Sequence, residues 1–402
     1  MHNQTILIAF GGVSPEHEVS VLTAMQAFSA LEASPFRLVP LYISKSGSWH
    51  TGDYLLKLNH YQDLDKIEAN GLPCTFARNE IGQPVLQELK HSFFQKPAVH
   101  PLHAVLTAFH GGAGENGSFQ GACELFNLPY TGCEVLASSI GMDKVTTKSI
   151  CRANGIPVVD DVHFPEEEWL SRRKELLSEI EKLSWPVIVK PVHLGSSIGV
   201  TMARSRDELT GAIELGFRYD EQILVEKAVT PLMEINCSVL GTPGSYRVSV
   251  CERPLSEKEH LSFEDKYQRE AGSGKGMASA DRVIPADISD ELTAAIQKTT
   301  KKVFEICRGS GLARLDFLVN RDTNQFYFNE INTIPGSFSY YLWKESGLNF
   351  KNLLEELIEI ALKRHRQKSG RVQSYETNLL SQKAALGMKG LKGLKGPRQG
   401  GE

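Results

Sequence analysis

No apolar run in the 402 residues approaches the roughly 18 that a membrane-spanning helix needs, and the opening MHNQTILIAFGG carries no basic leader. A protein that stays in the cytoplasm is therefore expected. A basic excess is missing as well. The 44 Lys and Arg against 48 Asp and Glu leave a net charge of −4, the wrong sign for a general nucleic-acid binder. Cysteine is sparse, and the seven residues are scattered without a C-x-x-C pair, so neither a disulfide framework nor a zinc site is expected. The G-x-x-x-x-G-K-[ST] order of a Walker loop is absent too.

What remains is a globular composition, 41% hydrophobic and 23% charged, on a chain long enough for several cores. Short apolar runs (ILIAF, RLVPLYI, AVLTAF) alternate with helical stretches such as 18–31. That rhythm predicts an N-terminal parallel α/β domain over residues 1–138. A smaller two-layer unit follows over 139–228, opening on a helix around 142–153. Residues 229–369 make a third, with strands, a long helix near 289–309, a hairpin and a closing helix at 353–366. The Gly- and Lys-rich tail, 370–402, has too few apolar residues to fold.

The hairpin carries the most chemistry. In RLDFLVNRDTNQFYFNEIN, Leu315, Phe317 and Val319 alternate with Arg314, Asp316 and Leu318, residues 320–324 supply a turn, and Phe326, Phe328, Glu330 and Asn332 share one face. Asp316, Glu330 and Asn332 then form an all-oxygen set suited to Mg²⁺, which usually arrives with substrate phosphates. On its own the pattern fits a hairpin with acids facing water better than a metal site.

In VIVKPVHLGSSIGV a strand ends at Lys190 and a loop follows with Gly195, Ser196, Ser197 and Gly199. Such a loop can close backbone N–H groups around phosphate oxygens, although a plain turn is the commoner meaning. ILVEKAV sets Glu226 and Lys227 after a strand, with Glu234 beyond. Gly112, Gly114 and Gly117 satisfy G-x-G-x-x-G, which raises a nicotinamide-dependent oxidoreductase as a reading from another class. The dinucleotide fingerprint, however, belongs near the first strand of its fold. GGVSPEHEVS puts Glu16 and Glu18 at a helix start, where an acid also suits the helix dipole. AGSGKGM, 271–277, lacks a preceding strand and is read as part of a lid.

Taken in order, FGGVSPEHEVS, HGGAGENGSFQG, GMDKVTTK, VKPVHLGSSIGV, LVEKAV, EDKY, ARLDFLV and NEINTIPGS resemble the D-alanine:D-alanine ligase family of the ATP-grasp superfamily, collinearly over about residues 5–365. The resemblance implies an N-terminal α/β domain followed by an ATP-grasp fold of two subdomains. It implies a cytoplasmic homodimer that uses ATP to join two D-alanines through an acyl phosphate for peptidoglycan precursors, with no nucleic-acid or membrane partner. By the same resemblance Asp316, Glu330 and Asn332 hold two Mg²⁺, with Mn²⁺ also acceptable. Lys144 and Lys190 bind phosphates and Lys266 is the lid lysine. Glu226, Lys227 and Val229 grip adenine, and Glu234 the ribose. Glu16 engages the first substrate's ammonium, Ser196 and Tyr267 complete its hydrogen-bond triad, and Arg314 with the Gly336 N–H stabilises the oxyanion.

Three departures accompany it. Asn116 replaces an aspartate in GENG, the lid 267–285 is long, and SFSYYLW follows Gly336 where members commonly read close to FTSHS. Tyr341 thus stands where a small serine usually touches the second substrate, which makes a ligase joining D-alanine to a different D-amino or D-hydroxy acid the alternative.

Overall fold

The computed structural model describes residues 4–89, 97–255 and 282–372. The lid pair Lys266 and Tyr267 and nearly all of the tail lie outside these described residues.

Three sheets carry the chain. The first contains Gln4–Gly11 (β1), Phe36–Ile43 (β2), Trp49–Thr51 (β3), Leu72–Arg78 (β4), Pro84–Glu88 (β5), Val99–Pro101 (β6) and Ala104–Thr107 (β7), in the order β6-β5-β4-β3-β2-β1-β7. β1 pairs in parallel with β2 and β7, as the alternating rhythm predicts. From β2 outward the pairing is antiparallel through β6, so the sheet is mixed. Links such as 44–48 and 79–83 are too short for the crossover a parallel pair needs. β1 is buried on both faces: Ile6, Ile8 and Phe10 enter a core with helices His17–Leu31 and Phe350–Ser369, while Leu7 and Ala9 enter another with Val39, Leu41 and Phe119. That is why ILIAF is a continuous apolar run.

The second sheet contains Asp161–Pro165 (β8), Val187–Pro191 (β9), Thr201–Ala203 (β10) and Gln222–Lys227 (β11), antiparallel in the order β10-β9-β11-β8. Trp169, Leu177 and Ile180 of helix Glu166–Glu181 and Leu209 and Ile213 of helix Arg206–Gly216 cover it. The third contains Leu232–Thr242 (β12), Ser245–Pro254 (β13), Arg282–Val283 (β14), Gly311–Asn320 (β15) and Phe326–Asn332 (β16), in the order β14-β13-β12-β15-β16. Helix Asp290–Ile306, capped by the Ser289 side chain, packs Ile296, Val303 and Phe304 against Ile235, Val239, Leu315 and Phe317.

β15 alternates as expected, with Leu315, Phe317 and Val319 buried. β16 does not. Its register passes from Asp316 opposite Glu330 to Phe317 opposite Phe328, so Asn329 is an extra, bulged residue. Phe328 and Ile331 both enter the core, and the expectation that Phe326 and Phe328 share a face with Glu330 and Asn332 fails. The bulge resets the alternation and turns the two polar side chains to the open face.

All seven cysteines are free and buried. Among the described residues no helix is long and apolar enough to cross a membrane.

Candidate active site

The open face of the third sheet carries a polar row. Strand register sets Glu252 beside Asn236, Asn236 beside Asp316, and Asp316 beside Glu330. Arg314, two residues before Asp316 and so on the same face, grips it through two bonds of 2.7 Å, from Nε to Oδ1 and from Nη2 to Oδ2. Asn332 Nδ2 donates to the same Oδ2 at 3.1 Å. Burial alone would weaken the Arg314 cation, yet Asp316 holds it charged well above the usual arginine range.

Two lysines approach this row from the second sheet and its leading helix. Lys144 begins helix Lys144–Ala153, whose N-cap Asp143 accepts from the Thr146 N–H. Its ammonium lies 3.6 Å from Glu330 Oε2 and donates to the Leu194 carbonyl in the glycine loop. Lys190, at the end of β9, lies 2.6 Å from Glu226 Oε2 and donates to Asn329 Oδ1 at 2.9 Å. The bulge therefore lets consecutive residues, Asn329 and Glu330, each meet one of the two lysines. Glu226 also contacts Lys148 through its other oxygen, and both side chains are only 1% exposed. Burial would raise the Glu226 carboxyl, but the two ammonium groups bring it down to about 2.

The third cluster joins the N-terminal domain to the glycine loop. Ser196 donates its hydroxyl to Glu16 Oε1. A side chain at Gly111, φ +64°, would meet Glu16 Oε2 at 2.7 Å, and one at Gly195 would meet it at 2.9 Å, so glycine at both positions lets backbone close around the carboxylate. Burial pushes the Glu16 carboxyl up to about 7, and the nearby charges of Glu115 and Glu330 push the same way. His193, at the base of the loop, is fixed by its N–H and ring to Asp220 at 2.6 and 3.0 Å. With Asp143 and Asp220 around it, its pKa rises to about 9.

The G-x-G-x-x-G segment has a different use from the one its glycines suggest. Glu115 Oε2 accepts from the Gly111 N–H at 2.9 Å, occupying the donor a phosphate would need. Its Oε1 accepts from the Ile334 N–H at 3.0 Å and the Thr333 hydroxyl at 3.3 Å. His110 Nδ1 meets the Ile334 carbonyl at 2.8 Å, and its Nε2 meets Thr23 Oγ1 at 2.8 Å. The segment thus pins the chain after Asn332, where Ser337, Phe338 and Ser339 hold φ of 51°, 54° and 47°. Such backbone persists only where its surroundings over-determine it. Tyr341, buried at the end of this stretch, donates to Glu252 Oε1 at 3.2 Å, and Arg282 lies 4.0 Å over its ring while bonding Glu252 Oε2 at 2.8 Å.

Asp316, Glu330 and Asn332 fit a hard divalent cation. Their donors are oxygens once the Asn332 amide turns its Oδ1 forward. Among the described residues no group of three or more His, Cys, Asp or Glu is placed to hold a metal. A set of two carboxylates and one amide leaves further positions to substrate oxygens, as Mg²⁺ prefers.

The structure brings together Glu16 with Ser196, Lys144 with Glu330, Lys190 with Glu226, and Arg314 with Asp316 and Asn332. Gly336 follows on the pinned loop. Lys227 is exposed and Val229 and Glu234 half-buried along the chain from β11 into β12. Among the described residues neither Lys227 nor Glu234 forms an ion pair. Sequence reasoning missed Lys148, Asn329, Glu252 and Arg282. Lys148 had a signal: four residues after Lys144 on one helix, it shares that lysine's face.

Residues 5–133 match the family described as D-ala D-ala ligase N-terminus, and residues 150–359 the family described as D-ala D-ala ligase C-terminus. The D-alanine–D-alanine ligase of Thermosipho melanesiensis is 36% identical over 375 residues, 93% of this chain and 97% of that protein. That of Bacillus velezensis is 36% identical over 364 residues, 89% and 98% of the two chains. Among solved structures, the D-alanine-D-alanine ligase of Coxiella burnetii superposes with a TM-score of 0.76 at 31% identity, covering 92% of this chain and 97% of that one. The VanG D-Ala:D-Ser ligase of Enterococcus faecalis gives 0.73 at 28%, covering 89% and 99%. With both family models matched and relatives at 36% identity over most of its length, the chain belongs to the D-alanine–D-alanine ligase family.

Proposed function

We propose that the protein joins two D-alanines to D-alanyl-D-alanine for peptidoglycan precursor synthesis, with cleavage of ATP to ADP and phosphate. The observation that carries this reading is the meeting, at one sheet face, of the Glu16–Ser196 pair, the lysines Lys144 and Lys190, and Arg314 beside Asp316 and Asn332.

Each residue has a task that its surroundings support. Glu16, ionised, accepts the ammonium of the first D-alanine, and Ser196 fixes the carboxylate's direction. Lys144 and Lys190 bring positive charge to the polyphosphate and offset the repulsion between it and the first substrate's carboxylate. The carboxylate oxygen attacks the γ-phosphorus, and the amine of the second D-alanine then displaces phosphate from the acyl carbon. Arg314 and the Gly336 N–H stabilise the oxyanion that forms in that second attack. Asp316, Glu330 and Asn332 would hold the two divalent cations, Mg²⁺ or Mn²⁺, which supply charge neutralisation on the phosphates. Glu226, Lys227, Val229 and Glu234 line the base and ribose. The domains divide at 138 and 228, and the enzyme works as a cytoplasmic homodimer, which sedimentation checks.

A second reading keeps the chemistry and changes the acceptor. The bulk of Tyr341, held by Glu252 and Arg282, favours it. Mass spectrometry of products from ATP, Mg²⁺, D-alanine and a panel of D-amino and D-hydroxy acids decides between them. D-alanyl-D-alanine as the main product supports the first reading, another main product the second, and phosphate release without a dipeptide or depsipeptide overturns both.

A further inference from the structure

Lys148 sits on the inner face of helix Lys144–Ala153, one turn beyond Lys144, with its ammonium against Glu226 Oε1. Lys190 takes the other oxygen, Oε2, at 2.6 Å. One carboxylate thus lies between two ammonium groups that differ in their access to the site. The Lys148 side chain is 1% exposed and that of Lys190 10% exposed. Lys190 also reaches across to Asn329 on the third sheet. Lys148 makes no such reach, and in its buried place it cannot meet a substrate.

The charges explain the arrangement. A lysine paired only with a glutamate is a neutral dipole and attracts a polyphosphate weakly, since the carboxylate repels what the ammonium attracts. Adding a second, buried ammonium on the far side of the carboxylate restores one net positive charge, and the solvent-facing end of the trio is Lys190. In a partly buried site this difference is worth far more than at the surface. We propose that Lys148 is a positioning residue for ATP: it neutralises Glu226 from behind, so that Lys190 presents its full charge to the phosphates and is free to leave Glu226 for them. The low Glu226 pKa of about 2 agrees, because it keeps the carboxylate ionised across the working pH range.

The inference rests on the assignment of Lys190 to the phosphates, and the test separates the two. Dissociation constants for ATP and for adenosine are measured by calorimetry on the full chain and on K148M, K148R, K190M and the double variant K148M/E226Q. The expectation is that K148M weakens ATP about tenfold and leaves adenosine within about twofold, because only the phosphates feel the missing charge. In turnover the KM for ATP rises by the same factor while kcat stays within about twofold. K148R restores ATP binding. In K148M/E226Q the ratio of ATP to adenosine affinity returns to within about threefold of wild type, since a lost Glu226 contact to the base weakens both ligands alike while removing the carboxylate returns the net charge to Lys190.

Wild-type ATP affinity in K148M, with K190M weakened, overturns the role of Lys148 and leaves Lys190 in place. Unchanged ATP affinity in K190M overturns the phosphate assignment and this inference with it. Equal losses for ATP and adenosine in K148M overturn it as well, since they point to a displaced base site. Should K148M fail to fold, the double variant decides: a wild-type-like ratio of ATP to adenosine affinity supports the proposal, and a tenfold lower ratio overturns it.

Discussion

The carboxylate of Glu16, at the start of the first helix, accepts the hydroxyl of Ser196 from a glycine loop 180 residues further along the chain. Burial holds this carboxyl at about 7 instead of 4.5. Because the folded pKa lies above the unfolded one, the group's contribution to stability is complete below about 4.5 and is lost as pH rises through about 7. A shift of this size corresponds to about 3 kcal/mol. Glu16→Gln, which keeps an acceptor for Ser196, should therefore raise the melting temperature at pH 8 and change it little at pH 4.5. It should also lose the ammonium partner and with it most activity. In the wild type, kcat/KM for the first D-alanine should fall as pH drops below about 7, since protonated Glu16 cannot accept an ammonium. A flat profile between pH 6 and 8 would contradict the role.

Glu330 faces Lys144 at 3.6 Å and neighbours Asp316 across the strand pair. Glu330→Gln keeps the side-chain volume and removes one anionic oxygen donor, so phosphate release should drop by about 100-fold or more while the protein still folds. The melting temperature should stay within a few degrees of wild type. Raised Mg²⁺ or Mn²⁺ concentration should recover part of the loss, because the remaining oxygens of Asp316 and Asn332 then bind metal more weakly rather than not at all. Near-normal turnover at low Mg²⁺ would remove Glu330 from the metal set.

What was legible in the chain was local. The β15 alternation located Arg314 and Asp316 on one face without help from the rest of the molecule. The β16 alternation misled, because the bulge at Asn329 adds one residue to a strand without any glycine or proline to mark it. Lys148 could be read from its spacing to Lys144, but its partner Glu226 lies on a strand far along the chain, and pairing of that kind has no local signature. The same holds for Glu252 and Arg282, which meet Tyr341 only once β13 and β14 are laid beside it. Glu16 and Ser196 came from likeness of motif, not from any periodicity. The antiparallel extension β3–β6 was missed because short strands with short links look, in sequence, much like the parallel units before them.

Glu115, a buried residue, accepts from Gly111, Ile334 and Thr333. Burial raises its pKa, although these donors favour the ionised form. Glu115→Ala would leave two buried N–H groups and a hydroxyl without an acceptor, at about 3 kcal/mol or more, and the melting temperature should fall by roughly 5 °C or more. The loss should reach catalysis too, because the left-handed run 337–339 is held by these anchors and sets Gly336. A kcat at least tenfold lower with an unchanged KM for ATP is expected, since Lys190 and Glu226 stand on the other sheet. Equal loss in both constants would mean the anchor acts on the whole site.

Tyr341 separates bulk from hydrogen bonding. Tyr341→Phe removes the hydroxyl, with its 3.2 Å bond to Glu252 and its interaction with the Arg282 guanidinium, while Glu252 keeps Asn236 at 3.0 Å and Arg282 at 2.8 Å. The cost should be about 1 kcal/mol, and the ring still lies under the Arg282 guanidinium. Tyr341→Ser removes the ring itself, at about 3–5 kcal/mol, and opens a cavity beside Arg314 and Glu252. If ring bulk sets the acceptor, the product spectrum should stay constant in the phenylalanine variant and shift in the serine variant toward larger second substrates. If the hydroxyl sets it through Glu252, both variants should shift alike. An unchanged spectrum in both, with only the melting temperature lowered, would make Tyr341 a packing residue and remove the one structural argument for an acceptor other than D-alanine.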